Sequence, residues 1–320
     1  MRLLAALFLA AYLLIDSGGA LFRAREAMAL WAASVAPSLF PFFALLPALT
    51  DEDALSIYEK LFGKIMQKLF RISGAAAAPC AVGLIAGSPA GSIAALRAYE
   101  SGAISRKDAR VLAALSTGAS PIFIVSSVGA GMLKNVSEGI MLLLCAWTAS
   151  FAVAFFVSRL HAEREDVFYK GETRAQPPGA IREAVMGVMT VAGYMTVFSV
   201  FAGGLPDVVY AFFELSGGCT VASGRHDLIL AAAVIGFGGV CLIMQNTANF
   251  RKTGVRAREI VLMKICTGAV SAIVYPVISS FGFPDVWLDA DAYCLACIAA
   301  LLMTLLCAFN RLFLRRVRAG

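Results

Sequence analysis

The side chains that could bind a small solute in this 320-residue sequence are neutral and polar, and they gather beside glycine and proline. Serine, threonine, asparagine and glutamine can exchange hydrogen bonds with a solute without carrying charge. Glycine and proline interrupt helical hydrogen bonding, so each cluster predicts a break in a helix. The clusters occupy residues 37–43, 87–92, 116–121, and 236–239 followed by 245–249.

Broken helices in an apolar environment form binding sites, because freed backbone groups and half-helix ends then face a cavity. The N-terminal end of a half-helix carries partial positive charge, which favours anions. We expect the breaks to be shaped by Gly87, Pro89, Gly91, Pro121, Gly238 and Gly239. We expect the solute to contact Ser88, Ser92, Thr117, Ser120, Gln245, Asn246 and Thr267.

The sequence offers no pattern for catalysis, a cofactor or a metal. It contains no H-E-x-x-H motif, no P-loop and no clustered set of metal ligands. The triplet at 87–89 is not a G-x-S-x-G elbow, since residues 86 and 90 are both alanine. His161 and His226 lie in polar segments, far from any serine that would need a base. We therefore predict a protein that is not an enzyme, with no catalytic residues, no metal and no cofactor.

The elements that must position the polar residues are membrane helices. The chain is 60% hydrophobic and 15% charged, whereas a soluble domain is about 45–50% apolar and about 25% charged. Eight uncharged segments are each long enough to approach the roughly 17–25 residues of a spanning helix. They cover residues 27–50, 72–96, 111–133, 139–158, 184–206, 228–250, 265–284 and 292–310. We predict an all-α polytopic membrane protein with broken or re-entrant helices and about eight or nine membrane segments.

The expected partners are the lipid bilayer and a small-molecule solute. Nucleic acid is excluded as a partner, because the net charge of +6 is spread over many loops. A homo-oligomer and a partner membrane subunit are both compatible with the sequence. The short apolar run at 3–15 fits either a signal-peptide core or a retained first helix.

Short motifs recur at nearly constant spacing and indicate an internal duplication. Arg-Glu-Ala occurs at 25–27 and 182–184, and Thr-Gly-Ala occurs at 117–119 and 267–269. Duplicated halves are common in transporters, where the substrate lies at the repeat interface. The predicted organisation is an N-terminal helix or signal anchor at 1–23, repeat 1 at 24–158, a cytoplasmic linker at 159–180, repeat 2 at 181–310 and a basic tail at 311–320.

The charges of the loops predict part of the orientation. The basic tail should be cytoplasmic, and the segment 207–225, poor in Lys and Arg, fits an external loop. Lysines at 60, 64 and 68 recur every four residues opposite an apolar face, which predicts an amphipathic interfacial helix over 51–73. Simple alternation of crossings would place these lysines outside. A re-entrant hairpin would remove that conflict and make the repeats inverted rather than parallel, and both arrangements stay open.

Several motifs resemble the sporulation integral membrane proteins of the YlbJ type, which carry the nucleoside recognition (Gate) domain also found in concentrative nucleoside transporters. These motifs are PSLFPFF at 37–43, GSPAG at 87–91, SPIFI at 120–124, and GFGG at 236–239 with Gln245. The sequence departs from the family at 87–89, where a Gly-Phe-Pro-type turn is more common, and at Ser120, where the family more often has Asn. Both departures fall where a solute would bind.

The resemblance implies transport of a small polar molecule across a bacterial cell membrane or a forespore membrane. In spore formers the implied cargo is dipicolinate, an aromatic dicarboxylate, whereas the domain name suggests a nucleoside. We expect a transporter of a small polar or anionic solute, with the site at the broken helices near the membrane midplane. The alternative is a non-transporting membrane scaffold or assembly protein in sporulation or envelope formation, whose polar breaks serve helix packing.

Overall fold

The computed structural model describes residues 2–49, 52–160 and 179–280, and every regular element in these ranges is helical. Helices suit these apolar segments because each one satisfies its backbone hydrogen bonds internally. The α-helices are α1 (Arg2–Ile15), α2 (Ser17–Leu30), α3 (Ala36–Leu49), α4 (Glu52–Ile65), α5 (Ala77–Ala86), α6 (Ala90–Glu100), α7 (Arg106–Leu115), α8 (Val136–Leu160), α9 (Ala180–Ala202), α10 (Asp207–Phe213), α11 (Leu215–Gly224), α12 (Leu228–Phe237), α13 (Gly239–Phe250) and α14 (Ala257–Ser280). Three π-helical segments lie at Trp31–Val35, Met66–Phe70 and Phe123–Met132.

Five helical segments in the described ranges are long and apolar enough to cross a membrane. They are Ser17–Leu49, Val136–Leu160, Ala184–Ala202, Leu228–Thr253 and Ala257–Ser280. A bent pair, Asp53–Phe70 with Gly74–Ala86, would make a sixth if it counts as one span, although its two helices meet at 108°. The predicted all-helical polytopic class is confirmed.

The number of eight or nine membrane segments stays a prediction, and so do the repeat boundaries. The predicted segment 292–310, most of the linker at 161–178 and the tail at 311–320 lie outside the described residues.

The apolar segment 72–96 does not form a single spanning helix. It contains most of a hairpin in which α5 and α6 fold back on each other, called here the first hairpin. The two helices touch through glycine, because a methyl group on Gly91 would lie 2.6 Å from the Cα atom of Gly83. A hairpin here is compatible with the re-entrant alternative, and the choice between parallel and inverted repeats stays a prediction.

The segment expected to be an external loop, 207–225, is also helical. It forms a second hairpin from α10 and α11, whose helices approach so closely that a methyl group on Gly218 would collide with the carbonyl of Ala211. Glu214 separates the two helices in an extended conformation. Each half of the described chain therefore contains a short helical hairpin.

An interrupted helix follows each hairpin. After α7 ends at Leu115, the chain is non-helical until Pro121, where the next helix begins. In the second half, Gly238 lies between α12 and α13 with a φ of +81°, a left-handed conformation that favours glycine.

The predicted break at 37–43 is wrong. These residues lie inside α3, which contains Pro41 as an internal residue. The π-helical turn at Trp31–Val35 precedes them, and the Ser38 hydroxyl donates to the Val35 carbonyl at 2.9 Å. Local π geometry and hydroxyl groups are known ways for a membrane helix to continue through proline.

Two buried apolar clusters hold the helices together. The larger one joins α3, α8, α9 and α12 around the region where the interrupted helices meet. The smaller one is centred on α7. It joins α7 to Phe70 at the end of the second π-helical segment, to the C-terminal half of α8 and to Phe250 at the end of α13. On α4 itself, Leu61 and Phe62 are exposed, as expected for a helix that lies against lipid.

The last described helix, α14, packs along α8 and α12 and is bonded to the first half near both of its ends. Near its start, Glu259 accepts a hydrogen bond from the Arg110 guanidinium at 2.9 Å. Near its end, the Tyr275 hydroxyl donates to the Glu138 carboxylate at 2.7 Å. These bonds fix α14 against α7 and α8.

Candidate solute-binding site

A cavity lies where the hairpin tips and the interrupted helices meet, and residues from both halves line it. Its empty volume is about 440 Å³, including the part that is open to solvent. Its polar lining comes from Ser38, Ser88, Ser120, Glu214, Ser216 and Gln245. Its apolar lining comes from Val35, Leu39, Ala119, Phe123, Val191, Met195, Leu215 and Leu242. An apolar pocket with a few converging polar groups is typical of small-molecule sites.

The tip of the first hairpin is attached to the interruption after α7. The backbone N–H of Ser88 donates to the Gly118 carbonyl at 2.8 Å. Gly87 adopts a φ of +73°, and a methyl group there would lie 2.5 Å from the Ser120 backbone nitrogen. The Ser88–Pro89 peptide bond is cis. These contacts place the Ser88 side chain at the cavity.

The interruption itself satisfies its polar groups locally. The hydroxyls of Ser116 and Thr117 donate, each at 2.7 Å, to the carbonyls of Leu112 and Ala113 in the last turn of α7. The Ser120 hydroxyl accepts from the Phe123 backbone N–H at 3.2 Å, so Ser120 caps the next helix while it lines the cavity. The Thr117 hydroxyl is thus committed to α7.

Helix α13 supplies two amide side chains. The Asn246 amide nitrogen donates to the Ser88 hydroxyl at 2.7 Å and to the Leu242 carbonyl at 2.8 Å. The Gln245 amide nitrogen approaches the Cys241 sulfur at 3.2 Å. The carbonyl oxygens of both amides are buried without a hydrogen-bond partner in the described part of the chain. Of the two amides, that of Gln245 belongs to a residue that lines the cavity, and its buried oxygen lacks a partner among the described residues.

A second amide–hydroxyl pair lies one helical turn away. The Asn249 amide donates to the Ser92 hydroxyl at 3.0 Å, and Ser92 in turn donates to the Pro89 carbonyl at 2.8 Å. Ser92 is completely buried and does not line the cavity. This pair therefore positions the first hairpin on α13.

The structure brings together only part of the predicted solute-contact set. Ser88, Ser120 and Gln245 line the cavity, and Asn246 bonds to Ser88. Thr267 lies elsewhere, because its hydroxyl donates to the Met263 carbonyl within α14 and its own carbonyl faces Gly236. The predicted break residues lie at Gly87, Pro89 and Gly91 in the first hairpin, at Pro121 where the next helix begins, and at Gly238 and Gly239 between α12 and α13.

Sequence reasoning missed Glu214, which lies at the tip of the second hairpin and lines the cavity. Its carboxylate accepts from the backbone N–H groups of Ser216 at 3.1 Å and Gly217 at 2.6 Å, and so caps α11. Its residue surface is only 1% exposed. The expectation of a fully neutral lining is therefore wrong. The missed signal is a single acidic residue in the otherwise uncharged stretch 208–224, since such residues usually mark function.

A buried lysine was missed as well. Lys264 is 2% exposed, and its ammonium nitrogen lies 3.4 Å from the Thr117 carbonyl oxygen in the first-half interruption. It does not line the cavity. The uncharged segment that predicted this helix began one residue later, at 265. No cluster of three or more metal-ligating side chains occurs in the described ranges.

Comparison with known proteins supports the family resemblance. Residues 32–158 match the Gate family, described as nucleoside recognition. This range contains the first hairpin and the first interrupted helix, whereas Glu214 and Gln245 lie beyond it. No solved structure matches the chain significantly. The family description is not that of an enzyme.

A relative of the chain is the sporulation integral membrane protein YlbJ of Bacillus subtilis. It is 23% identical over 323 residues, which cover 83% of this chain and 79% of the relative. The match extends well beyond the Gate region, as the motifs in both halves had indicated. The chain thus matches the Gate family over residues 32–158, and over most of its length it is similar to a sporulation integral membrane protein.

Proposed function

We propose that this protein is a membrane transporter for a small polar or anionic solute, which binds in the cavity between the two hairpins. One observation carries the proposal: residues at the ends of broken helices from both halves line a single cavity. A binding site between two halves is what alternating access requires, because movement of one half against the other can open either side.

The helix starts at the cavity favour a solute with strong hydrogen-bond acceptors, and a negatively charged solute binds beside them only when the Glu214 carboxyl in the same lining is protonated. Helices begin directly after Pro89, Ser120 and Glu214, and the residues at these starts line the cavity or adjoin its lining. Helix N-termini carry partial positive charge. At one of them the Glu214 carboxylate already binds two backbone N–H groups, an internal example of carboxylate recognition at this place.

The carbonyl oxygen of Gln245 has no hydrogen-bond partner among the described residues, so a bound solute should also offer a hydrogen-bond donor. A solute that meets both requirements needs a hydroxyl, amine or ring N–H group in addition to its acceptors. A nucleoside has such groups, and so does a protonated pyridine dicarboxylate. The cavity chemistry therefore supports testing dipicolinate and a nucleoside in parallel.

The proposal includes a cellular setting. Similarity to a sporulation integral membrane protein supports a role in sporulation and a multi-pass location in a bacterial cell membrane, with the forespore membrane as a specific case. The basic residues of the tail support a cytoplasmic C-terminus.

The test is solute flux into proteoliposomes that contain the purified full-length protein. Labelled dipicolinate and a labelled nucleoside are supplied separately, and excess unlabelled solute competes. The decisive variant is Gln245→Met, which keeps the side-chain length but removes the oxygen that lacks a protein partner. We expect it to keep the thermal stability of the wild type and to lose most of the flux.

The matched control is Gln67→Leu, which changes an exposed amide on the interfacial helix. Its flux should equal that of the wild type. Absence of saturable flux of either solute, from folded protein inserted in both orientations, would refute transport and favour a scaffold role. If Gln245→Met kept full flux, the transport proposal would stand, but the solute would have to bind at another site.

A further inference from the structure

Lys264 is the only lysine or arginine that is buried among the described residues. A buried charge is costly unless it is paired with an opposite charge or bound by several polar groups. The described part of the chain provides no carboxylate within ion-pair distance of Lys264. Its stabilising groups must therefore come from the backbone around it.

One backbone carbonyl freed by the interruption after α7 supplies such a group. Within the interruption, the Gly118 carbonyl accepts from the backbone of Ser88, whereas the Thr117 carbonyl accepts from the Lys264 ammonium. The C-terminal end of α7 also carries the partial negative charge of the helix dipole. A cation is thus favoured at the place where Lys264 lies.

The second interruption faces the same ammonium group. A methyl group on Gly238 would lie 3.3 Å from the Cε atom and 3.5 Å from the nitrogen of Lys264. The side chain thus passes between two breaks, one from each half of the chain. Freed carbonyls and half-helix C-terminal ends of this kind are where membrane transporters commonly coordinate sodium.

We propose that the Lys264 ammonium is the resident cation of this carrier and occupies the place where a soluble alkali cation would otherwise neutralise the freed carbonyls. The wild-type protein then needs no sodium to hold its interrupted helices in place. The inference rests on the proposed transport function, but its test measures protein stability and needs no solute.

The experiment compares the melting temperature of the purified full-length protein in sodium chloride and in choline chloride at equal ionic strength. We expect the wild type to melt at the same temperature in both salts. Lys264→Ala should melt several degrees lower and should regain stability, with saturation, as sodium chloride or propylammonium chloride is added. Propylammonium can restore an ammonium group to the space that the lysine side chain has left.

Lys252→Ala is the matched control, because Lys252 is an exposed lysine after α13. It should melt like the wild type and show no specific response to either cation. Saturable stabilisation of the wild type by sodium would overturn the proposal, and this measurement decides the matter even if Lys264→Ala does not fold. A folded Lys264→Ala that is unaffected by both cations would also overturn it. If the flux assay refuted transport, the stability results for Lys264 would still stand.

Discussion

The two hairpins differ in what their tips are attached to. The first hairpin is bonded to the neighbouring interruption through Ser88, and its glycines lie directly against the backbone of that segment. The second hairpin bonds its tip internally, because Glu214 caps α11 of the same hairpin. Its contact with the second interruption is packing alone, since a methyl group on Gly239 would lie 3.1 Å from the Leu215 backbone nitrogen. Its closest glycine contacts, at Gly217 and Gly218, include Tyr210 and Ala211 of its own first helix.

This difference indicates which hairpin can move. Displacing the first one would break a buried backbone hydrogen bond and open a close-packed contact, each at a free-energy cost. Displacing the second one keeps its cap intact, since both partners move together. We therefore expect the second hairpin to act as the mobile side of the cavity and the first one as the fixed side.

The largest expected effect tests the fixed hairpin. A methyl group on Gly91 would collide with the Ser116 carbonyl, whereas one on Gly118 would meet nothing within 4 Å. Gly91→Ala should lower the free energy of unfolding by about 1–3 kcal/mol, as overpacking generally does. Gly118→Ala should unfold like the wild type in thermal denaturation. Equal stability of the two variants would contradict the close attachment of the first hairpin.

The tip of the mobile hairpin can be tested against another helix cap. Glu214 caps α11 in a buried position, and Asp227 caps α12 through the Leu230 N–H in an exposed one. Replacing a cap by alanine costs about 0.5–2 kcal/mol, and we expect Glu214→Ala near the upper end and Asp227→Ala near the lower end. Only Glu214→Ala should lose solute flux in proteoliposomes. Similar flux in both variants would show that the carboxylate does not serve the cavity.

The smallest effect is expected at the base of the mobile hairpin. Arg225 and Asp207 form an ion pair there at 3.1 Å, with side chains 48% and 68% exposed. Exposed pairs contribute about 0–1 kcal/mol and weaken in salt. Arg225→Ala should therefore shift the melting temperature little at low salt and not at all at high salt. A large loss at both salt concentrations would mean that this hairpin is held more firmly than its tip suggests.

The sequence was sufficient to predict the fold class, because a membrane requires helices wherever long uncharged segments occur. It also located the breaks at 87–92, 116–121 and 236–239, where glycine or proline lies inside such a segment. It could not distinguish these breaks from the proline-containing stretch 37–43, which continues as a helix. Whether π geometry and a neighbouring hydroxyl compensate for a proline depends on contacts that are remote in sequence.

The candidate site was predicted less completely for a related reason. Glu214 and Lys264 lie outside the uncharged segments, so the predicted site did not include them. Isolated charges in apolar surroundings are nevertheless informative. Thr267 does not line this cavity, and its hydroxyl donates to its own helix backbone, so its role as a solute contact stays a prediction. The pairing of Ser88 with Asn246 joins residues 158 positions apart and follows from tertiary packing alone.

The hydrogen bonds near both ends of α14 restrict the rotation of this helix about its own axis. Tyr275 lies eleven residues after Lys264, which is close to three full helical turns, so the two side chains project from nearly the same face, about 20° apart. The bond from Tyr275 to Glu138 therefore sets the angular position of Lys264 as well. Rotating α14 about its axis by one residue would turn the ammonium away from Thr117 by about 100°. A tyrosine close to the end of the helix thus helps to set the direction in which a charge about three turns earlier points.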